Sequence, residues 1–200
     1  MRKWTVRSTR TLLHRPPWLH LDEQEVELPN GQTIEGYLLT AIPEVSMVFA
    51  VTSDQHILFV EQYKHGAGTT MWDLPAGYVD EGEGPSTCAR RELEEETGYL
   101  ADDWRDLGGW LIDPNRTQAR FYYYLALDAH PAGRRHLDVT EDIVVHRVPL
   151  AEVQSVLADG RVKSLATWAG VWAGLAALGG SQAGDNSSRS LNAPQGVARN

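Results

Sequence analysis

Three glutamates, Glu92, Glu95 and Glu96, stand at i, i+3 and i+4 within a stretch that reads as a helix. Pro85 suits a first helical turn, where its missing N–H costs nothing, and Gly84 ahead of it is a tolerable N-cap. Gly98 stands where a left-handed residue closes a helix. Between them, residues 86–97 contain neither proline nor glycine. At this spacing the three carboxylates share one helix face. They repel one another by roughly 0.2–0.5 kcal/mol per pair, and near the helix C-terminus each opposes the dipole by roughly 0.3–1 kcal/mol. One reading is a solvated acidic face. The other is a site for a hard divalent cation, which carboxylate oxygen suits.

The surrounding spacing favours the second. Gly77, five residues, Glu83, seven residues, Arg91-Glu92-Leu93, one residue, Glu95-Glu96, one residue, then Gly98-Tyr99: this pattern resembles the Nudix box. Its one departure is Tyr99, where an aliphatic residue is usual. The resemblance implies a loop–helix–loop in which Glu92, Glu95 and Glu96 hold divalent metal, with the carbonyl of Ala76 as a further hard ligand. Arg91 and Glu83 are implied as the buried pair that orients the helix, framed by Gly77 and Gly98. Cys88, one turn before Glu92, reads as packing.

The flanks resemble one branch of that family, the ADP-ribose and nucleoside diphosphate sugar pyrophosphatases. The segments carrying this are Val60-Glu61-Gln62-Tyr63-Lys64 and Trp72-Asp73-Leu74-Pro75-Ala76-Gly77, with Pro114 sixteen positions beyond Gly98. Lys64 stands where an arginine usually grips the diphosphate, exchanging a bidentate fork for a point charge. Asp73 replaces the usual glutamate. The branch implies Mg²⁺ (Mn²⁺ as substitute), a small-molecule nucleotide sugar as substrate, and a homodimer in which the N-terminal segment reaches the partner's site. It also implies a glutamate base before a late strand, matched best by Glu141, with the adjoining Asp142 left open. Glu92 and Glu96 are then the catalytic metal carboxylates. Arg116 and Arg120, near Pro114, are candidates for phosphate or ribose contacts. The implied reaction splits a diphosphate linkage into a nucleoside monophosphate and a sugar phosphate. Alternatives are a Nudix hydrolase of another dinucleotide or a nucleoside triphosphate, and a catalytically silent ligand-binding module.

The elements that must position these residues follow from patterning. Residues 4–11, 18–28 and 32–42 read as strands of a small antiparallel sheet, with Pro29-Asn30-Gly31 as a turn. Residues 45–52 and 57–63 are dense apolar runs, as expected of strands buried on both faces. Residues 65–70 read as a loop, and 71–74 lead into the box. Beyond it, 104–112, 119–129 and 143–148 read as strands, and 150–157 and 163–178 have helical spacing. The expectation is an α/β fold: a Nudix-type α/β/α sandwich with a mixed central sheet over 44–178, preceded by the β-sheet subdomain 1–43. Residues 179–200, rich in Gly, Ser, Asn and Gln, read as a disordered tail.

Composition bounds what remains. A net charge of −9 argues against a nucleic-acid surface, which needs clustered Lys and Arg. A single cysteine fits a reducing compartment and, with no secretory signal, a cytoplasmic chain. Residues 1–21 are arginine-rich and acid-free, as organelle transit segments are, but they also read as strands. No apolar run has the length of a membrane span. The seven histidines show no metal-ligand spacing, and no serine or threonine has a nucleophile-elbow setting.

Overall fold

The structure is a computed structural model that describes residues 2–132, 134–137 and 142–183. Three strands, β1 (Thr5–Arg15), β2 (Leu19–Glu27) and β3 (Thr33–Ala41), form an antiparallel sheet in that order. The Asn30-Gly31 turn closes β2 onto β3, with Gly31 N–H donating to Leu28 O at 2.9 Å. Of this sheet only Val26 is buried. It is joined to the rest through β3: Thr40 N–H donates to Arg116 O at 2.7 Å and Tyr37 Oη to Asn115 O at 2.7 Å.

The second sheet has eight strands. They are β4 (Val45–Thr52), β5 (His56–Lys64), β6 (Thr69–Asp73), β7 (Ala76–Tyr78), β8 (Tyr99–Leu100), β9 (Asp103–Leu111), β10 (Arg120–Pro131) and β11 (Val144–Pro149). The order is β11-β5-β4-β10-β8, with β6 on β5, β7 on β4 and β9 on β10. Only β4 and β10 run parallel, so the sheet is mixed. Alternation along β4 and β5 explains the dense apolar runs. Met47, Phe49, Val51, Ile57 and Phe59 enter one core; Val48, Ala50 and Leu58 enter another, with Ala89 and Leu93 from the box helix. The first core is closed by α2 (Val153–Ala158) and α3 (Leu165–Ala183). A Cβ at Gly174 would lie 2.3 Å from the Phe49 ring, so a side chain there would hold α3 off the sheet.

Several boundaries differ from the sequence reading, among them the end of β1 at Arg15 rather than residue 11. Strand β6 begins inside the stretch read as a loop, because Thr69 and Thr70 pair with Lys64 and Tyr63. Helix α3 continues to Ala183, past residue 178, while 184–200 lie outside the described residues. The box helix, α1 (Pro85–Glu92), turns into a π-helical turn over Leu93–Thr97 rather than staying α-helical to its end. Among the described residues no helix is long and apolar enough to cross a membrane.

Candidate active site

Helix α1 starts as its sequence requires, with Gly84 extended at the N-cap and Pro85 at its first position. Gly98, at φ 75°, ends the π turn and donates its N–H to Glu94 O at 2.7 Å. The wider turn has a consequence for the carboxylates. With i→i+5 closure, residues four apart come nearer to alignment and the one three apart is carried farther round. Glu92 and Glu96 are accordingly buried, at 7% and 2% exposure, while Glu95 is half-buried.

Strand β7 forms the wall against which these carboxylates lie. Ala76 N–H donates to Glu96 Oε2 at 2.9 Å. A Cβ on Gly77 would sit 1.8 Å from Glu92 Oε1, so no larger residue fits without moving the carboxylate. Arg91 gathers the cluster. Its Nε and Nη2 fork onto Glu83 at 3.1 and 2.9 Å, while Nη1 reaches Glu92 at 2.6 Å and Glu95 at 3.0 Å. The guanidinium holds the Glu83 carboxyl below its usual range. The cluster is further compensated at the C-terminal end of the turn, where Arg135 donates to Glu96 O at 2.9 Å and to Ile143 O at 2.7 Å. A cation is favourable at that end of the dipole.

These groups border a pocket of about 520 Å³, a size suited to a small-molecule ligand. Glu92, Glu96 and Arg91 line it from the box helix, Ala76 and Gly77 from β7, and Lys64 from β5. Asp73 on β6 is a further wall residue. Burial pushes its pKa up, against the hydrogen bond from Thr167 Oγ1 at 2.5 Å and the Lys64 charge. Trp18, Gln62, Tyr78, Phe121 and Ser164 also line the pocket. Gln62 lies in the segment that carries the branch resemblance and Phe121 in an aromatic strand, whereas Trp18, Tyr78 and Ser164 come from separated segments with no local spacing signal. Arg135 was missed for the same reason.

The donor set fits a hard divalent cation in kind: carboxylate oxygens, two of them buried, beside a backbone stretch that admits no side chain. Among the described residues, though, no three His, Cys, Asp or Glu side chains are grouped to hold one ion. Glu95 is drawn toward Arg91. Two other expected contributors lie apart. Arg116 and Arg120 border a second cavity of about 800 Å³ with His20, Asp22 and Glu44; they donate to Leu38 O at 3.2 Å and Gly109 O at 3.0 Å. Glu141 lies outside the described residues, and Asp142 beside it is exposed. Cys88 is fully buried and its Sγ donates to Tyr78 O at 3.3 Å. Burial, followed by the Glu92 charge, pushes the thiol up to about 12, consistent with packing.

Comparisons with known proteins bear on both layers. Residues 42–169 match the family described as NUDIX domain. Residues 4–37 match the nucleoside diphosphate sugar hydrolase N-terminal domain. A CMP-5'-(N-acetyl-N-hydroxy-3-aminopropyl)phosphonate hydrolase of Streptomyces rubellomurinus is 31% identical over 180 residues, 90% of this chain and 85% of that protein. The ADP-ribose pyrophosphatase of Bacillus subtilis is 31% identical over 140 residues, 70% and 75% of the two chains. A crystal structure of an ADP compounds hydrolase superposes with a TM-score of 0.79 at 22% identity, covering 90% of this chain and 97% of that one. That likeness concerns the fold.

Proposed function

The chain belongs to the Nudix family, and on that premise we propose that it hydrolyses the diphosphate linkage of ADP-ribose or another nucleoside diphosphate sugar. The products are a nucleoside monophosphate and a sugar phosphate. The observation that carries this reading is the pocket, where Glu92, Glu96 and the Arg91–Glu83 fork meet Ala76–Gly77 opposite Lys64. The N-terminal sheet beside it, matching a nucleoside diphosphate sugar hydrolase domain, supports the substrate class.

Mg²⁺ is the proposed cofactor, with Mn²⁺ as a substitute, held by Glu92, Glu95, Glu96 and the Ala76 carbonyl. When bound, it offsets diphosphate charge and lowers the pKa of a coordinated water. The protein's own part is positioning and exclusion. Arg91 keeps Glu92 against Gly77 and holds Glu95 at 3.0 Å, and Glu95 would have to exchange that bond for the ion to join the set. The Ala76 N–H fixes one Glu96 oxygen and so aims the other. Lys64 supplies a positive charge for the phosphates. Glu141 is the proposed proton acceptor for the attacking water. Arg135 supports this assignment, because it ties Ile143 to the carbonyl of Glu96 and so tethers the segment that follows residue 141 to the end of the box helix.

We further propose a homodimer in the cytoplasm. Trp4, Val6, Leu12 and Trp18 are exposed on or beside a sheet with a single buried residue, a surface that a second copy would cover. Arg116 and Arg120, which line a cavity apart from the carboxylate pocket of their own chain, are then proposed to contact substrate in the partner's site. The similarity to a CMP-phosphonate hydrolase favours a second reading, in which the leaving group is a phosphonate. Incubating a panel of nucleoside diphosphate sugars and a CMP-linked phosphonate with Mg²⁺, and weighing the products, tests both. The first predicts ADP-ribose cleaved to AMP and ribose phosphate; turnover confined to the cytidylyl compound would replace it with the second.

A further inference from the structure

His14 and His20 are six residues apart, a separation with no metal-ligand periodicity on one strand. The β1–β2 pairing makes them direct cross-strand partners. Their Nδ1 atoms stand 3.0 Å apart, with ring planes at 77°. The other nitrogen of His20, Nε2, is 2.9 Å from Asp22 Oδ1, which also accepts from Thr11 Oγ1 at 2.8 Å. A carboxylate only accepts, so His20 carries a proton on Nε2, and in the neutral ring it is the Nδ1 lone pair that faces His14. An imidazole oriented through its far N–H by a carboxylate is the usual support of a metal-bound histidine.

We propose that His14 and His20 form a two-imidazole site for Cu²⁺ or Ni²⁺ at the closed end of the β1–β2 hairpin. Imidazole nitrogens suit these ions, whereas Mg²⁺ prefers the oxygen donors of the box. At metal–nitrogen distances of about 2.0–2.1 Å, adjacent corners of a tetragonal site lie roughly 2.9 Å apart and those of a tetrahedron roughly 3.3 Å. The observed 3.0 Å puts the two nitrogens within reach of one ion in either geometry. Binding moves the His14 proton from Nδ1 to Nε2 and turns this exposed ring so that both lone pairs meet at the ion. Solvent completes the coordination, and Asp22 acts as the orienting group. The ion would brace the hairpin whose turn carries Trp18 to the mouth of the carboxylate pocket.

The test uses the untagged full chain, stripped with chelator and held in excess Mg²⁺ so that the box carboxylates are committed. Calorimetric titration with Cu²⁺ should give one site per chain, and electron paramagnetic resonance should show coupling to two imidazole nitrogens. Both His14→Ala and His20→Ala should weaken binding at least about tenfold, and Asp22→Asn by about 10–100-fold. Glu96→Gln should leave it unchanged. Circular dichroism checks folding; should His20→Ala fail to fold, His14→Ala, at an exposed position, decides alone. Wild-type Cu²⁺ affinity in His14→Ala, a spectrum without imidazole coupling, or loss of binding in Glu96→Gln would overturn the proposal.

Discussion

Glu96 accepts a backbone hydrogen bond and is the proposed metal ligand, and a single substitution separates the two. Its Oε2 accepts the Ala76 N–H, a bond that an amide oxygen can still accept, whereas a neutral amide is a poor ligand for a hard cation. Glu96→Gln should therefore stay folded and lose turnover by orders of magnitude at every Mg²⁺ concentration. Its melting temperature without metal should equal or exceed that of wild type, since repulsion with Glu92 and Glu95 falls. Wild-type turnover in a steady-state assay would remove Glu96 from the metal set. Gly77→Ala tests the same wall from the other side. The added methyl displaces Glu92, and overpacking of this kind costs about 1–3 kcal/mol. Calorimetry should show that loss together with a rise in the Mg²⁺ concentration needed for half-maximal rate. For the proton acceptor, Glu141→Gln should lower kcat by roughly 10²–10⁴ with Mg²⁺ affinity little changed. Near-normal kcat in that variant beside an inactive Asp142→Asn would move the role one residue along.

At the scale of elements, the box helix is held to its lead-in loop by one guanidinium. Arg91 joins Glu83, before the helix, to Glu92 and Glu95 within it. Lysine keeps the charge but not the fork. Arg91→Lys should therefore lose activity far beyond its loss of stability. The pH dependence has a defined sign. The hydrogen bonds from Arg91 lower the pKa of Glu83 in the folded state, so this pair's stabilisation is present above the unfolded glutamate pKa. It is lost as pH falls through the lower, folded value. Acid titration of the melting temperature should show that decline in wild type and a smaller one in Arg91→Lys.

For the whole molecule, the N-terminal sheet presents the main energetic problem. Its eleven-residue first strand is exposed along nearly its full length, and an exposed edge invites pairing or packing with another chain. Multi-angle light scattering at micromolar concentration should give twice the chain mass. In mixed dimers of Arg116→Ala, Arg120→Ala subunits with Glu96→Gln subunits, some sites combine intact arginines with an intact metal set. Activity should return in such mixtures, although neither parent is active alone. A fully active monomer would refute both the dimer and the shared site.

Much of this was determined locally and was therefore legible in the chain. Gly84, Pro85 and Gly98 bound the box helix by backbone preferences that act over one or two residues. The dense runs in β4 and β5 report burial on both faces, because strand side chains alternate whatever lies opposite. The spacing of Gly77, Glu83, Arg91 and the three glutamates likewise put these residues beside one another, since one loop and one helix carry them. Tertiary structure decided the rest. The π turn that separates Glu95 from its two neighbours is not written in helical spacing. Asp73 meets Thr167, Arg135 meets the Glu96 carbonyl, and His14 meets His20 only because strands and loops distant in sequence pack together. Arg116 and Arg120 show the converse. Their nearness to Pro114 in sequence suggested phosphate or ribose contacts; the loop they flank docks on β3, so their side chains line the second cavity rather than the carboxylate pocket. Sequence distance sets what a residue can reach within its own element; what it meets across elements depends on how the sheets pack.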